Sequence, residues 1–482
     1  MEEQHSHHSI LKATGIFGFV QLLKMVVFAV SSKLVALFLG PIGMGLVALL
    51  QNVLQIILAL TSFEFLKTAT REIAIKKETT FATTVNLLFQ LAIGIGVLGA
   101  LVSVLFGLFF NEIIFTTSLP FSWYWLLILY FVFTSISNVY VAILQGVNQI
   151  KTLAIFNLAV SFFTALGSVP LYYFFRTEGV IWVVIYGALV QLVLAYLFTR
   201  NYTWQFSVLS LKELKIAASP MLQLGFFMSI NLIFGQICFL LIKLFLTQTS
   251  HSTAIVGLYE VGNVILVNYL GLVFQAMSYD FYPKLATIND DNSAVKSLVN
   301  KQMEIALIVI TPAVLFLYLT GPYVIELFYS HSFLPAFSIL KFALLSVILK
   351  AITMPLGYII LAKGNKKQFF KQELLGDFLN VTLSILFYNY FGLEGLGLAY
   401  VLHYAIYALY VYFVVNKSYA FQFESALKKL MIVNVNLGMG AALAVFFLPH
   451  YHYFIGVLVI FSVVYSYRAL QQRVDLKKLF TK

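Results

Sequence analysis

Charge is scarce in this chain: only 10% of its 482 residues are Asp, Glu, Lys or Arg, against roughly a quarter in water-soluble proteins. Acids are the scarcer sign, 19 against 30 Lys and Arg. Cysteine occurs once, as Cys238 within an apolar run. One thiol excludes an intrachain disulfide and a cysteine metal cluster, and apolar surroundings point to packing. Also missing are a glycine-rich phosphate loop, metal-ligand spacing and a nucleophile–base motif. The stretch Gly40-Pro41-Ile42-Gly43-Met44-Gly45 joins two apolar runs and is no phosphate cradle. The chain is therefore expected to be no enzyme and to hold no cofactor or metal. Its polar start, Met1 to Ser9, carries His5, His7 and His8 and reads as a disordered tail rather than a metal site. No secretory signal is evident: the first apolar run is too long, contains Lys24 and Lys33, and lacks a cleavage site.

What is present is apolar sequence, 61% of the whole. Runs of about 20 apolar residues, each enough for a helix across a hydrocarbon core of roughly 30 Å, follow one another nearly from end to end. They are continuous rather than alternating, which selects helices over a β-barrel. The expected fold class is an all-α polytopic membrane protein of about fourteen transmembrane helices. Spans are expected near 12–39, 43–64, 83–110, 121–143, 153–174, 180–199, 219–247, 255–280, 303–320, 335–361, 373–391, 395–415, 431–449 and 453–468. Pro220 is expected to start the seventh span, and Pro312 and Pro355 to lie inside the ninth and tenth.

Basic residues mark one side. The connections 65–82, 144–152, 200–218, 281–302, 362–372, 416–430 and the C-terminal tail are rich in Lys and Arg, whereas the opposite loops hold only Arg176. This asymmetry assigns the first set, and with an even span count both termini, to the cytoplasm. It also removes nucleic acid as the reason for the net charge of +11, because the basic residues sit in short loops. The opposite loops leave no room for a folded external domain. A weak internal echo sets Lys33-Leu34 and Gly45-Leu46 against Lys243-Leu244 and Gly257-Leu258. Six spans separate the copies, as in parallel repeats.

An ionisable group within a span is costly and usually faces the bundle interior or a water-filled cavity. Lys24, Lys33, Lys243, Lys341 and Lys350 fall within spans, against Glu64, Glu260, Asp280 and Asp377. Lys33 and Lys341 lie close enough to a helix end to snorkel or pair, and Lys243 is placed to pair with Glu260. Lys24 has no acid at its depth in the neighbouring span, and Asp377 lies about 10 Å nearer the cytoplasm than Lys350. A basic cavity of this kind needs an anion, and diphosphate fits, since each ammonium gives it a charge-assisted hydrogen bond. Gln51, Gln55, Asn231 and Asn263 are sugar-contact candidates, with Gln236 and Gln275 beside them, although interhelical hydrogen bonding explains any one of them as well. Glu260 and Asp377 are candidates for proton or ion coupling, and His403 for a relay or a packing role.

Several short stretches, in order along the chain, resemble one family. Leu39-Gly40-Pro41-Ile42-Gly43-Met44-Gly45-Leu46 is similar to the first outer turn of the O-antigen translocases, the Wzx-type polysaccharide flippases. Leu144-Gln145-Gly146, Tyr282-Pro283-Lys284-Leu285, Phe333-Leu334-Pro335-Ala336, Leu361-Ala362-Lys363-Gly364 and Gly392-Leu393-Glu394-Gly395-Leu396-Gly397 resemble later turns of the same family. Together they point to the superfamily of multidrug, oligosaccharidyl-lipid and polysaccharide exporters. The resemblance implies two six-helix lobes around a central cavity, residues 1–200 and 201–418, with two further helices and a cytoplasmic tail in 419–482. It implies an undecaprenyl-diphosphate-linked oligosaccharide, an O-antigen repeat unit, flipped across the bacterial inner membrane by alternating access. Its partners would be that lipid-linked substrate, the bilayer and other polysaccharide assembly proteins. It places the cavity charge at Lys24, Lys33 and Lys243, while Lys350 rests on depth alone. A drug or cation antiporter of the same superfamily is the nearest alternative, and a membrane enzyme of polysaccharide assembly the next. On this expectation Lys24→Ala abolishes export of surface polysaccharide while Lys24→Arg preserves part of it. Full export by the alanine variant at normal protein levels removes Lys24 from the mechanism.

Overall fold

The structure, a computed structural model, describes the backbone of residues 2–75, 81–115, 119–202 and 208–473. Side chains are described from residue 26 onward within these ranges, except at 28, 150, 211–213, 217, 227, 279, 280, 472 and 473. Helix is the only regular structure among them. Hydrocarbon offers no partner to a backbone N–H or C=O, so each apolar run satisfies its own by coiling. Two compact units divide the chain, Met1–Gly257 and Leu258–Lys482.

Unit 1 holds α1 (Glu2–Ser62), α2 (Phe65–Ile75), α3 (Phe81–Ile114), α4 (Phe121–Gly146), α5 (Ile150–Phe175), α6 (Gly179–Thr199), α7 (Leu211–Ser250) and the start of α8 (Ala254–Val264). Unit 2 continues α8 through a π turn at Ile265–Tyr269 into α9 (Gly271–Thr287). It then holds α10 (Asn292–Phe328), α11 (Phe337–Ala362), α12 (Lys366–Tyr419), α13 (Ser425–Phe447) and α14 (Tyr451–Arg473).

Eleven stretches among the described residues are long and apolar enough to cross a membrane. Two of them, Lys151–Thr199 and Lys366–Tyr419, have 49 and 54 residues, about twice what one crossing needs. Each breaks midway, the first at the 3-10 turn Arg176–Glu178 and the second at Gly392, where φ is 58°. α1 breaks in the same way at Gly40, φ 63°. Glycine takes these left-handed angles without a Cβ penalty, so the chain reverses through a single residue. The expected fourteen spans are compatible with this pattern.

Three expectations are corrected. The polar start is no tail: α1 runs from Glu2, since no Gly or Pro interrupts the first turns and Glu2 and Glu3 suit a helix N-terminus. Pro220 does not start a helix but sits inside α7, which begins at Leu211. The connection 65–82 contains α2, an amphipathic helix that buries Phe65, Ala69 and Ile73 against Leu88 and Ala92 of α3 and Val139 and Ile143 of α4. Its Lys67 and Arg71 stay exposed.

Two polar fasteners hold unit 2 at its ends. Near the Gly392 turn, Lys341 of α11 pairs with Glu394 of α12 at 2.7 Å. At the other end, Lys363 donates to the Asn289 carbonyl and to Asn292 Oδ1, the latter at 2.7 Å, and its ammonium lies over the Tyr419 ring. Beside the Lys341–Glu394 pair α11 and α12 touch through Gly397, where a Cβ would overlap the Ile339 carbonyl oxygen. Gly397→Ala is expected to lower stability in detergent by about 1–3 kcal/mol, the cost of overpacking. Gly440→Ala, with nothing within 4 Å of its Cβ position, should leave it unchanged or slightly raised. Thermal unfolding of the purified variants checks both.

Candidate functional site

In unit 1 the second half of α1 lies against α7, and three polar groups fasten them. Lys243, only 6% exposed, donates from Nζ to the Ala48 carbonyl at 3.2 Å. Gln236, two turns earlier on α7, accepts from Asn52 Nδ2 at 2.9 Å through its side chain and at 3.1 Å through its backbone. An ammonium buried in apolar surroundings is tolerable only where oxygen meets it, and a helix carbonyl has a spare lone pair to offer. Asn52 escaped the sequence reading, which took Gln51 and Gln55 instead. The one-residue difference matters on a helix, because neighbours point about 100° apart. Asn52 is buried, whereas Gln51 and Gln55 are exposed one turn apart. Lys33 and Asn231 are half-buried, and Asn231 Oδ1 has no hydrogen-bond partner. The Lys24 side chain lies outside the described residues.

Unit 2 carries a polar seam between the two halves of α12, with α8 and α11 contributing. At one end Tyr259 and Tyr400 share a hydrogen bond of 3.1 Å between hydroxyls, and Tyr400 reaches Asn263 Oδ1 at 3.4 Å. Glu260 stands next to them, with one carboxylate oxygen buried. Further along, Tyr407 donates to Glu373 Oε1 at 3.5 Å. Asp377 is one helical turn from Glu373, on the same face. The His403 ring stacks on Tyr407, 5.9 Å between centroids and 7° between planes. Gly376 lies under both rings: a Cβ there would make ordinary van der Waals contact, 3.4 Å from Tyr407 and 3.8 Å from His403. Nearest the Lys366 end, Gln368 donates to Tyr410 Oη at 3.0 Å.

Lys350 of α11 is half-buried and lies within electrostatic reach of His403. Its Nζ sits 5.4 Å from the centre of the Phe274 ring, a cation–π contact. Among the described residues no carboxylate is in ion-pair contact with Lys350. The structure thus gathers Glu260 with Asn263, and brings Asp377 and His403 each beside Tyr407. The residues not read from sequence are Glu373, Tyr407, Tyr259 and Tyr400. A signal for them existed: Gln372, Glu373, Asp377, Asn380 and Ser384 form a polar stripe at helical spacing through an apolar run.

The fasteners in unit 1 are separable by mutation. Replacing Asn52 and Gln236 by Leu, singly and together, should give a coupling of about 0.6–1.7 kcal/mol in unfolding, the range for hydrogen bonds between membrane helices. Additive single effects would mean that the pair contributes nothing.

A family model described as polysaccharide biosynthesis protein matches residues 10–289, more than half of the chain. No curated protein matches the sequence. In fold the chain is similar to the lipid II flippase MurJ in an inward closed conformation, with a TM-score of 0.70 at 14% identity over 97% of this chain and 99% of that one. It is also similar to a multidrug resistance MATE family transporter of the MOP superfamily in its inward-facing conformation, with a TM-score of 0.66 at 15% identity over 85% and 96% of the two chains. A MOP superfamily transporter from Pyrococcus furiosus, described as having a binding pocket of reverse polarity, gives 0.57 at 15% identity over 86% and 96%. At these identities the likeness is one of fold. The family match over residues 10–289 carries the assignment: the chain belongs to the polysaccharide biosynthesis protein family.

Proposed function

We propose that this chain is a flippase. It moves an undecaprenyl-diphosphate-linked oligosaccharide, an O-antigen repeat unit, from the cytoplasmic to the periplasmic leaflet of the bacterial inner membrane by alternating access. The observation that carries the reading is Lys350, a half-buried ammonium that meets an aromatic ring rather than a carboxylate. Such a cation gains most from an anionic ligand, because a charge-assisted hydrogen bond in partly desolvated surroundings contributes about 1.5–3 kcal/mol. The family membership and the fold it shares with a lipid II flippase support a lipid diphosphate as that anion.

In this reading Lys24, Lys33, Lys243 and Lys350 hold the diphosphate, and Gln51, Gln55, Asn231 and Asn263 meet sugar hydroxyls. Residues 1–200 and 201–418 are the two lobes, with 419–482 appended, and both termini are cytoplasmic. Asp377 and Glu260 couple transport to a proton or ion, Asp377 together with Glu373 and Tyr407. That acidic seam is also the observation favouring the rival, a drug or cation antiporter.

One experiment separates the readings. A strain lacking the gene should lose surface polysaccharide and accumulate lipid-linked repeat units. Lys350→Ala should restore export at least tenfold less well than the wild-type chain, the loss of about 1.4 kcal/mol or more, and Lys350→Arg should do better than alanine. Intact polysaccharide with new drug sensitivity would instead establish the antiporter. Short chains with normal flipping would point to an enzyme of polysaccharide assembly.

A further inference from the structure

Most of α11 is buried, but one strip of it stays open. From Lys350 onward its partly exposed residues are Lys350, Met354, Gly357, Tyr358 and Leu361. Their spacing keeps them within about 100° of the helix circumference. Beside this strip α9 sets Phe274, Ser278 and Tyr282 one turn apart, and Gln275 is exposed in line with Tyr282, seven residues earlier. The two helices of unit 2 meet along it three times. Lys350 Nζ lies 5.4 Å from the Phe274 ring centre, and Tyr358 Oη donates to Ser278 Oγ at 3.1 Å. The Tyr358 and Tyr282 rings are 5.6 Å apart between centroids, with planes 39° apart. Ser278 donates onward to the Phe274 carbonyl at 2.6 Å. The buried Phe281 ring also touches Tyr358, 6.0 Å between centroids. The Tyr358 ring is thus held by a hydrogen bond and two rings while part of it remains open.

We propose that this track is a glycan subsite, where Tyr358 and Tyr282 stack on sugar rings of the ligand whose diphosphate Lys350 holds. The inference rests on the flippase reading above and deepens it with two residues that meet sugar through ring faces. A sugar ring presents a face of C–H bonds and a rim of hydroxyls, and a tyrosine matches it with an apolar face and a polar edge. The Tyr358 hydroxyl, having donated to Ser278, keeps lone pairs that accept from a sugar hydroxyl. Gln275 adds amide donors and an acceptor in line with Tyr282. The length fits as well. Tyr358 follows Lys350 by eight residues, about 12 Å along α11, toward the end that the lysine asymmetry assigns to the cytoplasm. A short oligosaccharide on the diphosphate spans that distance. A polyprenyl chain laid along the same track would strand the Lys350 ammonium and the Gln275 amide against hydrocarbon. Because contacts within unit 2 already fix the Tyr358 ring, little side-chain freedom is lost when a sugar meets it.

The test uses the full chain in lipid nanodiscs and two probes: polyprenyl-diphosphate oligosaccharides extracted from membranes of the source organism, and undecaprenyl diphosphate without a glycan. Native mass spectrometry reads binding of each. The wild-type chain should bind the glycan-bearing lipid more tightly than the bare one. Tyr358→Leu and Tyr282→Leu should each weaken the glycan-bearing lipid at least tenfold and change the bare lipid less than twofold. Tyr358→Phe, which keeps the ring, should stay within threefold of wild type on both, and Lys350→Ala should weaken both. Leucine variants that bind the glycan-bearing lipid as wild type does, or lose both lipids alike, would overturn the subsite while leaving the flippase reading intact. So would a wild-type chain that does not distinguish the two probes. A wild-type chain that binds neither would overturn both readings. Should the leucine variants misfold, Tyr358→Trp decides. Its fluorescence should respond to the glycan-bearing lipid beyond the wild-type signal and not to the bare one, and equal responses would overturn the subsite.

Discussion

A polar atom carried into hydrocarbon must meet another polar atom there, and the placing of those meetings organises each unit. Water would otherwise compete for these groups, and its absence makes a single unmet oxygen or nitrogen expensive. In unit 1 the answer is a side chain laid against a helix backbone: Lys243 on the Ala48 carbonyl, Asn52 on the Gln236 carbonyl and amide. In unit 2 it is a ladder of phenols against amides and acids, Tyr400 on Asn263, Tyr407 on Glu373, and Tyr410 with Gln368. Tyrosine suits that task because its ring is at home in an apolar bundle while one hydroxyl satisfies one neighbour.

Close helix approach is the second requirement, since van der Waals packing rather than a hydrophobic force draws helices together in lipid. Gly397 on Ile339, Gly225 on the Phe63 carbonyl, and the pair Gly45 and Gly257 all bring backbone against backbone. The consequences differ with what surrounds them. Gly397 lies among buried residues of α11 and α12 and next to the Lys341–Glu394 pair, so it is locked. At the Gly225 contact the Phe63 and Phe226 rings meet edge to face, 5.7 Å between centroids. At the Gly45 contact the Thr253 hydroxyl donates to the Ile42 carbonyl at 3.0 Å, and Met44, Val256 and Leu258 are buried around it.

The all-helical fold was legible because apolar runs of spanning length leave no alternative, and turns such as Gly40 and Gly392 announced themselves by composition. Helix ends were less legible. α7 extends to Leu211 and α10 starts at Asn292, well outside the apolar stretches, because a helix that has left hydrocarbon continues as long as its own hydrogen bonds suffice. The site was read by residue type rather than by helix face. That is why Gln51 stood in for Asn52 and why Glu373, beside the recognised Asp377, was missed. Depth along a helix can be counted from sequence, but azimuth depends on which neighbour packs where, and only the fold supplies it.

The arrangement within unit 2 bears on how an anion and a cation can share one protein. Were Lys350 locked to Asp377, a ligand anion would first have to break that pair, and losing either partner would strand a buried charge. Instead Lys350 lies over the Phe274 ring, while Glu373 is met by Tyr407. The two signs are served by different partners. His403 stacks on Tyr407 and lies within electrostatic reach of Lys350. In the proposed cycle, charge arriving at Lys350 changes the field at His403, and charge arriving at Glu373 and Asp377 changes the field at Tyr407, on which His403 stacks.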